Sequence, residues 1–199
     1  LQIYSGGLGI LSGDHVRGAS DIGLDGFTAV GLLYKKGYFR QRITAAGQQL
    51  VDGTFEGIRL EELPIDAVKD PQAPEKDLVV KISFPRGRKV LAKVWKAVYG
   101  KTNLYLLDTD IEGNSAEDRA ITQSVYRAKG ESTLRMEQYH VLGTGGMLAM
   151  HALGIRADAL HLNDCHPMFA AIQEVASLMQ SISSEQYPDE KVRFEMALM

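Results

Sequence analysis

The chain has 199 residues, of which 45% are hydrophobic and 24% are charged, as is typical of a globular protein with one sizeable core. Its net charge of -3 gives no reason to expect a nucleic acid or an anionic membrane as a partner, and no apolar run approaches the roughly 20 residues of a membrane-spanning helix. The single cysteine, Cys165, cannot form an internal disulfide, which predicts a reducing, cytoplasmic location.

The first element is a glycine-rich loop that leads into a helix. Gly6, Gly7 and Gly9 precede an apolar repeat of three to four residues, which predicts a helix ended by Gly23. The stretch FTAVGLLY, residues 27–34, then predicts a mostly buried strand. This order of loop, helix and strand is typical of an α/β unit with a parallel sheet.

The middle of the chain predicts antiparallel structure. Residues 34–43 have the pattern of a β-hairpin that turns near Gly37. An irregular stretch is expected around three prolines, Pro64, Pro71 and Pro74. Short strands are predicted at 77–84, 89–99 and 103–108, with turns near Gly87 and Gly100. Because short connections favour antiparallel pairing, we expect an antiparallel insertion from Tyr38 to about Asp108 in an α/β domain.

The last third returns to an α/β pattern. Either Asn114 or Ser115 is expected to cap a helix, and a long helix is predicted from about Ser132 to Leu153, closed by Gly154. Residues 157–163 predict a short strand. A loop and a helix beginning near Pro167 follow, and the chain ends in a predicted helix.

The glycine-rich loop is a candidate anion site. The first amides of a helix have no intrahelical partner, and the helix dipole adds partial positive charge there. Glycine lets a phosphate approach those amides without meeting a Cβ. The alternative is a tight turn that serves only packing. The glycine spacing fits neither a P-loop nor G-x-G-x-x-G.

A second candidate is the loop HLNDCHP, residues 161–167, which follows the predicted strand. Ligands of open α/β sheets gather at such strand ends. A zinc interpretation would use His161, Asp164, Cys165 and His166, but no second ligand cluster complements them at structural-zinc spacing, so we expect no metal. Two interpretations stay open: a polar loop that caps the next helix, or a sugar site in which His166 binds and Asn163 and Asp164 shape the loop.

A third candidate is LLDTD, residues 106–110. A strand that ends in Asp108-x-Asp110 is typical of metal-dependent nucleotide-sugar transferases. An EF-hand is excluded, because its twelfth position would be Arg119 instead of a bidentate Glu. Otherwise these carboxylates serve a turn or a helix cap.

The motifs taken in order resemble those of the α-glucan phosphorylases, which act on glycogen, starch or maltodextrin, and most closely the short bacterial and archaeal type. The stretches that carry the resemblance are IYSGGLGILSGDHVRGASDIGL, VGLLYKKGYFRQRIT, LYLLDTD, NSAEDRAIT and HALGIRADALHLNDCHPMFA. Glycogen synthases have a related glycine loop but normally place a lysine just before it, where this chain has Tyr4 and Ser5. The phosphorylases are therefore the better match.

The resemblance implies part of the Rossmann-like N-terminal domain of a GT-B enzyme, with the antiparallel insertion noted above. It implies phosphorolysis of an α-1,4-glucan by inorganic phosphate to give glucose 1-phosphate, and a homodimer. Gly6, Gly7 and Leu8 match the loop that faces phosphate and glucose, and His166 matches the histidine that binds the glucose. The pyridoxal 5'-phosphate cofactor is implied on a lysine of an absent C-terminal domain. We therefore expect that residues 1–199 are part of a larger enzyme and are inactive alone.

Three departures from the family pattern bear on which glucan chain is accepted. They are Gly47-Gln48-Gln49 after the predicted hairpin, Tyr139 after Gln138, and Asn163-Asp164-Cys165-His166 in the candidate loop. The alternatives to a phosphorylase are a metal-dependent nucleotide-sugar transferase using Asp108 and Asp110, and a glucan-binding module without catalysis.

Overall fold

The computed structural model of the chain describes residues 4, 6–37, 39–54, 59–125 and 132–198. The strands are β1 (Thr28–Leu32), β2 (Phe39–Ile43), β3 (Gln49–Thr54), β4 (Ile65–Ala67), β5 (Lys69–Asp70), β6 (Ala73–Asp77), β7 (Val79–Ser83), β8 (Lys89–Tyr99) and β9 (Thr102–Asp108). The helices are α1 (Gly6–Asp21), α2 (Ala116–Arg119), α3 (Ser132–His140), α4 (Gly146–Ala152), α5 (Met168–Ser181) and α6 (Glu190–Ala197), with a π-helical segment, Val141–Gly145, between α3 and α4. No helix among the described residues has the length and apolar character needed to cross a bilayer.

The main sheet is built around the long strand β8. One edge of β8 pairs antiparallel with β9. The other edge pairs antiparallel with β7 along its first part and with β4 along its second part. Strand β9 pairs in parallel with β1 on its far side. The mixed α/β class is confirmed, although parallel pairing of the named strands in the described residues is limited to β1 and β9. Four strands of the predicted antiparallel segment, β4, β7, β8 and β9, share this sheet with β1, whereas β2 with β3 and β5 with β6 form separate two-stranded sheets. The expected start of the segment at Tyr38 lies outside the described residues.

The predicted helix ends are mostly confirmed. Helix α1 ends before Gly23, which has a φ of +65°, and the long predicted helix ends before Gly154, at a φ of +69°. Both conformations favour glycine. Ser115 caps α2 by accepting a hydrogen bond from the Asp118 amide. Asn114 instead binds the backbone of Leu91 on β8.

Glycines in and beside the π-helical segment let it lie against the sheet on one side and α5 on the other. A Cβ added to Gly145 would lie 2.7 Å from Ile82 Cδ1, and one added to Gly146 would lie 3.0 Å from Val30 Cγ1. A Cβ on Gly143 would lie 2.5 Å from the Ala170 amide nitrogen of α5. We call α3, the π-helical segment and α4 together the central helix. The layers are therefore the sheet, the central helix and α5, and the apolar core lies between the sheet and the central helix.

Three local predictions are wrong. The hairpin of β2 and β3 turns at 44–48, with Gly47 at a φ of +75°, and Gly37 is buried next to an isolated pairing of Lys36 with Ser124. Residues 157–163 form no strand, and 157–161 are exposed, because a strand needs a neighbour to pair its backbone groups. The proline-rich stretch contains the short strands β4, β5 and β6.

An ion-pair network joins β6, β5 and β8. Asp77 accepts hydrogen bonds from Lys69 Nζ at 2.7 Å and from Lys93 Nζ at 2.6 Å. These contacts, led by the bond from Lys69, hold the pKa of Asp77 below its usual range. The network is partly exposed, so its contribution to stability is modest.

Replacing Asp77 by asparagine should lower the free energy of unfolding by about 0.5–1 kcal/mol at pH 6–7. A carboxyl whose folded-state pKa is lowered stabilises the fold above its unfolded-state pKa of about 3.9, and this contribution is lost as the pH falls through the lower folded-state value. The difference in the free energy of unfolding between wild type and Asp77→Asn should therefore disappear as the pH falls below about 4. Urea titrations from pH 3 to pH 7 measure it. A constant gap over that range contradicts the assignment, and Glu75→Gln on the same strand is the control.

Candidate functional site

The amides at the start of α1 are open to solvent. Gly6 and Gly7 are exposed, and a Cβ added to either would meet no heavy atom of the described residues within 4 Å. Gly9 differs, because a Cβ there would lie 2.5 Å from Tyr4 Cβ. Packing thus explains the third glycine, and the space over the first two leaves room for a ligand to approach the helix N-terminus.

A hydrogen-bond relay joins this helix start to the loop at 163–166. The Asn163 side-chain amide donates to Ser12 Oγ, and that hydroxyl donates to the Leu8 carbonyl at 2.9 Å. Two residues predicted for the site, Leu8 and Asn163, are therefore connected through one side chain. The loop also packs on α1 through His161, whose ring lies 5.0 Å from that of His15 in an edge-to-face arrangement.

His166 is held at the beginning of α5 by an aromatic contact. Its ring meets that of Tyr139 on α3 edge to face, with 4.7 Å between the centroids, and Tyr139 accepts a hydrogen bond from Arg135. Burial lowers the pKa of His166 below its ordinary value, against the opposite influence of Asp164. The imidazole is consequently neutral near pH 7, a form that both donates and accepts hydrogen bonds.

The loop itself gathers three side chains that can bind a cation. One donor atom from each of Asp164, Cys165 and His166 lies within 4.8 Å of the others. His166 Nδ1 is 3.5 Å from Asp164 Oδ2 and, although it is enclosed, has no hydrogen-bond partner in the part of the chain that the structure describes. Asp164 adopts a φ of +66°, a left-handed conformation that is rare outside glycine. Asp164 and Cys165 are exposed.

The structure gives the carboxylates of LLDTD another role. Asp108 is buried, binds Lys35 Nζ at 2.6 Å, and accepts hydrogen bonds from the Asp110 amide and the Thr122 hydroxyl. Asp110 binds Arg119 Nε at 2.7 Å. A metal ion would have to displace both cations, so the metal interpretation of this pair finds no support in the geometry.

Sequence reasoning missed Ser12 and Tyr139, which hold the loop in place. Ser12 follows Leu8 by four residues, the spacing at which a helical hydroxyl binds a preceding carbonyl, and that spacing was the available signal. Tyr139 was noted only as a departure from the family pattern. Its contact with His166 spans 27 positions, and no local pattern indicates it.

Curated proteins with related sequences bear on the family. Maltodextrin phosphorylase of Thermococcus litoralis is 44% identical over 181 residues, which cover 90% of this chain and 21% of the relative. Glycogen phosphorylase of Aquifex aeolicus is 36% identical, with 90% of this chain and 25% of the relative covered. Glycogen phosphorylase of Mycobacterium tuberculosis is 35% identical, with 90% and 20% covered.

No family model matches the chain, and no solved structure gives a significant match. The chain spans about a fifth to a quarter of the length of the relatives described above, but the identity extends over nearly all of its own residues. The resemblance predicted from the motifs is thereby confirmed: over 90% of its residues the chain is similar in sequence to maltodextrin and glycogen phosphorylases.

Proposed function

We propose that the protein takes part in phosphorolysis of an α-1,4-glucan, in which inorganic phosphate releases glucose 1-phosphate. The relatives named as maltodextrin and glycogen phosphorylases support this reaction class. The structural observation that carries it is the open start of α1, joined through Ser12 to the loop that holds His166. The proposal includes a GT-B architecture, a cytoplasmic location and a homodimer for the complete enzyme, and no activity for residues 1–199 alone.

The phosphate is assigned to the amides of Gly6, Gly7 and Leu8. Unpaired amides and the helix dipole attract an anion, and well-aimed donors in such a site contribute a few kcal/mol to a charged transition state. His166 is assigned to a glucose hydroxyl, since its neutral ring offers both a donor and an acceptor. Asn163 and Asp164 shape the loop, Asn163 through its bond to Ser12.

Pyridoxal 5'-phosphate belongs to the proposal through the family resemblance alone. The resemblance places its lysine outside these residues, and Lys35, which lies opposite LLDTD, is paired with Asp108. When bound, the cofactor supplies a phosphate group for proton transfer. We assign none of the residues of this chain to the cofactor.

Replacing Gly7 by valine should raise the KM for inorganic phosphate about ten- to a hundredfold, because it obstructs one amide–phosphate hydrogen bond worth about 1.5–3 kcal/mol. A Cβ at Gly7 would lie within 4 Å of none of the described residues, so the midpoint of thermal unfolding should hardly move. Initial rates of glucose 1-phosphate formation by the full-length enzyme measure the effect. Gly13→Val, in the same helix and equally open, is the matched control.

These two variants and Asp110→Ala distinguish a phosphorylase from the two alternative functions. A glucan-binding module would bind oligosaccharide without dependence on phosphate, and Gly7→Val would change nothing. A metal-dependent transferase would bind Mn²⁺ and a nucleotide sugar, and Asp110→Ala would abolish that binding in calorimetry. Equal phosphate KM values for Gly7→Val and Gly13→Val would contradict the proposed role of the loop.

A further inference from the structure

The loop before α5 combines three features that suit the binding of a cation. Three consecutive side chains carry a carboxylate, a thiol and an imidazole, and one donor atom of each lies within 4.8 Å of the others. The thiol of Cys165 is free and exposed. Among the described residues, the enclosed His166 Nδ1 finds no hydrogen-bond partner.

The spacing of the donors fits a small tetrahedral cation. Zinc binds nitrogen at about 2.0–2.1 Å and carboxylate oxygen at about 2.0–2.2 Å, which places two such ligands about 3.4 Å apart at the tetrahedral angle. His166 Nδ1 and Asp164 Oδ2 are 3.5 Å apart. The exposed Cys165 side chain can complete the set by rotation about its own bonds.

The chemistry of the donors selects the metal. Magnesium and calcium prefer oxygen ligands alone, whereas a set of nitrogen, sulfur and oxygen suits zinc. Three protein ligands leave a fourth position for water or another small ligand. His161, the fourth residue of the zinc interpretation in the sequence, lies against His15 instead.

The loop is anchored at both ends of the cluster. Asn163 is tied to α1 through Ser12, and the ring of His166 rests on Tyr139. The Met168 amide donates to the Cys165 carbonyl at 3.2 Å, so α5 begins directly behind the cluster. Ligands positioned by such supports lose less freedom when a metal binds.

We propose that Asp164, Cys165 and His166 form a zinc site whose occupation withdraws His166 from the sugar and so inhibits phosphorolysis reversibly. On binding, the thiol of Cys165 gives up its proton to solvent and its sulfur coordinates the ion. The inhibition rests on the proposed function, while the binding of zinc does not.

Calorimetric titration of the full-length protein with Zn²⁺ tests the site, with Cys165→Ser as the key variant. Because Cys165 is exposed, this substitution should leave the fold intact. The Kd for zinc should rise at least about tenfold, and Asp164→Asn should act in the same direction. Asp158→Asn, an exposed carboxylate outside the cluster, should leave the Kd unchanged.

A second readout identifies the ligand directly. Zinc should protect the peptide that contains Cys165 from alkylation by iodoacetamide, as measured by mass spectrometry. Absence of protection, or a zinc Kd that is equal in wild type and Cys165→Ser, overturns the site whatever the reaction of the enzyme. Zinc bound through Cys165 without inhibition of an active phosphorylase overturns the coupling to His166. Zinc binding by a protein that never forms glucose 1-phosphate supports the site and contradicts the proposed function.

Discussion

Replacing Lys35 by methionine should lower the free energy of unfolding by about 3–5 kcal/mol, because it leaves the buried Asp108 carboxylate without its cation. Lys35 Nζ lies 2.6 Å from Asp108 Oδ2, and Asp108 is 1% exposed. Thr122 and the Asp110 amide also bind this carboxylate, but neither carries a charge that compensates it. Urea unfolding of the purified protein at pH 7 measures the loss.

A double variant shows that the loss comes from an unpaired charge. Lys35→Met combined with Asp108→Asn removes both charges while the asparagine oxygen can still accept hydrogen bonds, and it should be markedly more stable than Lys35→Met alone. Arg119→Met, which removes the exposed partner of Asp110, should cost no more than about 1 kcal/mol. A Lys35→Met loss as small as that of Arg119→Met would contradict the buried-pair assignment.

The same pair explains why LLDTD was ambiguous in the sequence. Two aspartates at a strand end are compatible with a metal site, a cap or an ion pair, and the choice depends on which cation lies opposite. Lys35 is 73 positions away from Asp108, so its approach depends on the parallel pairing of β1 with β9. No spacing within LLDTD contains that information.

Local signals predicted the elements whose ends depend on local chemistry. Ser115 and the left-handed glycines at 23 and 154 mark helix ends through neighbouring backbone groups, and the structure confirms them. The strand expected at 157–163 failed because a strand requires a partner, and alternation of apolar residues does not supply one. The hairpin predicted near Gly37 is wrong because Phe39–Ile43 pairs with Gln49–Thr54, the strand that follows it, so that the turn lies at Gly47.

In the candidate site, too, some features follow from local sequence and others depend on contacts between distant residues. The open glycines could be found from the sequence, since they precede a clear helical repeat, and His166 was found through the family resemblance. The relay from Asn163 to Leu8 could not be found, because Ser12 and Asn163 lie 151 residues apart. Nor does the sequence indicate that Asp164 adopts a left-handed backbone, which brings its carboxylate near the His166 ring.

Replacing Gly143 by alanine should lower the free energy of unfolding by at least about 3 kcal/mol, near the upper end of the usual cost of overpacking. The added Cβ would lie 2.5 Å from the Ala170 amide nitrogen and 2.7 Å from Phe169 Cβ, and a backbone atom cannot move aside as a flexible side chain can. In an open helical position the same substitution normally stabilises by about 0.5–1 kcal/mol. Gly13→Ala in α1, where nothing lies within 4 Å, should show that gain and serves as the control.

The site should respond as well, because α5 begins directly after the loop that carries His166. If Gly143→Ala pushes α5 away from the central helix, the contact between His166 and Tyr139 loosens, and binding at the proposed glucose and zinc sites should weaken. Hydrogen exchange of the α5 amides in the folded protein distinguishes this displacement from global destabilisation: only the displacement speeds exchange in α5 while exchange in β8 stays slow. Unchanged stability and unchanged α5 exchange would mean that the two helices do not approach as closely as the structure shows.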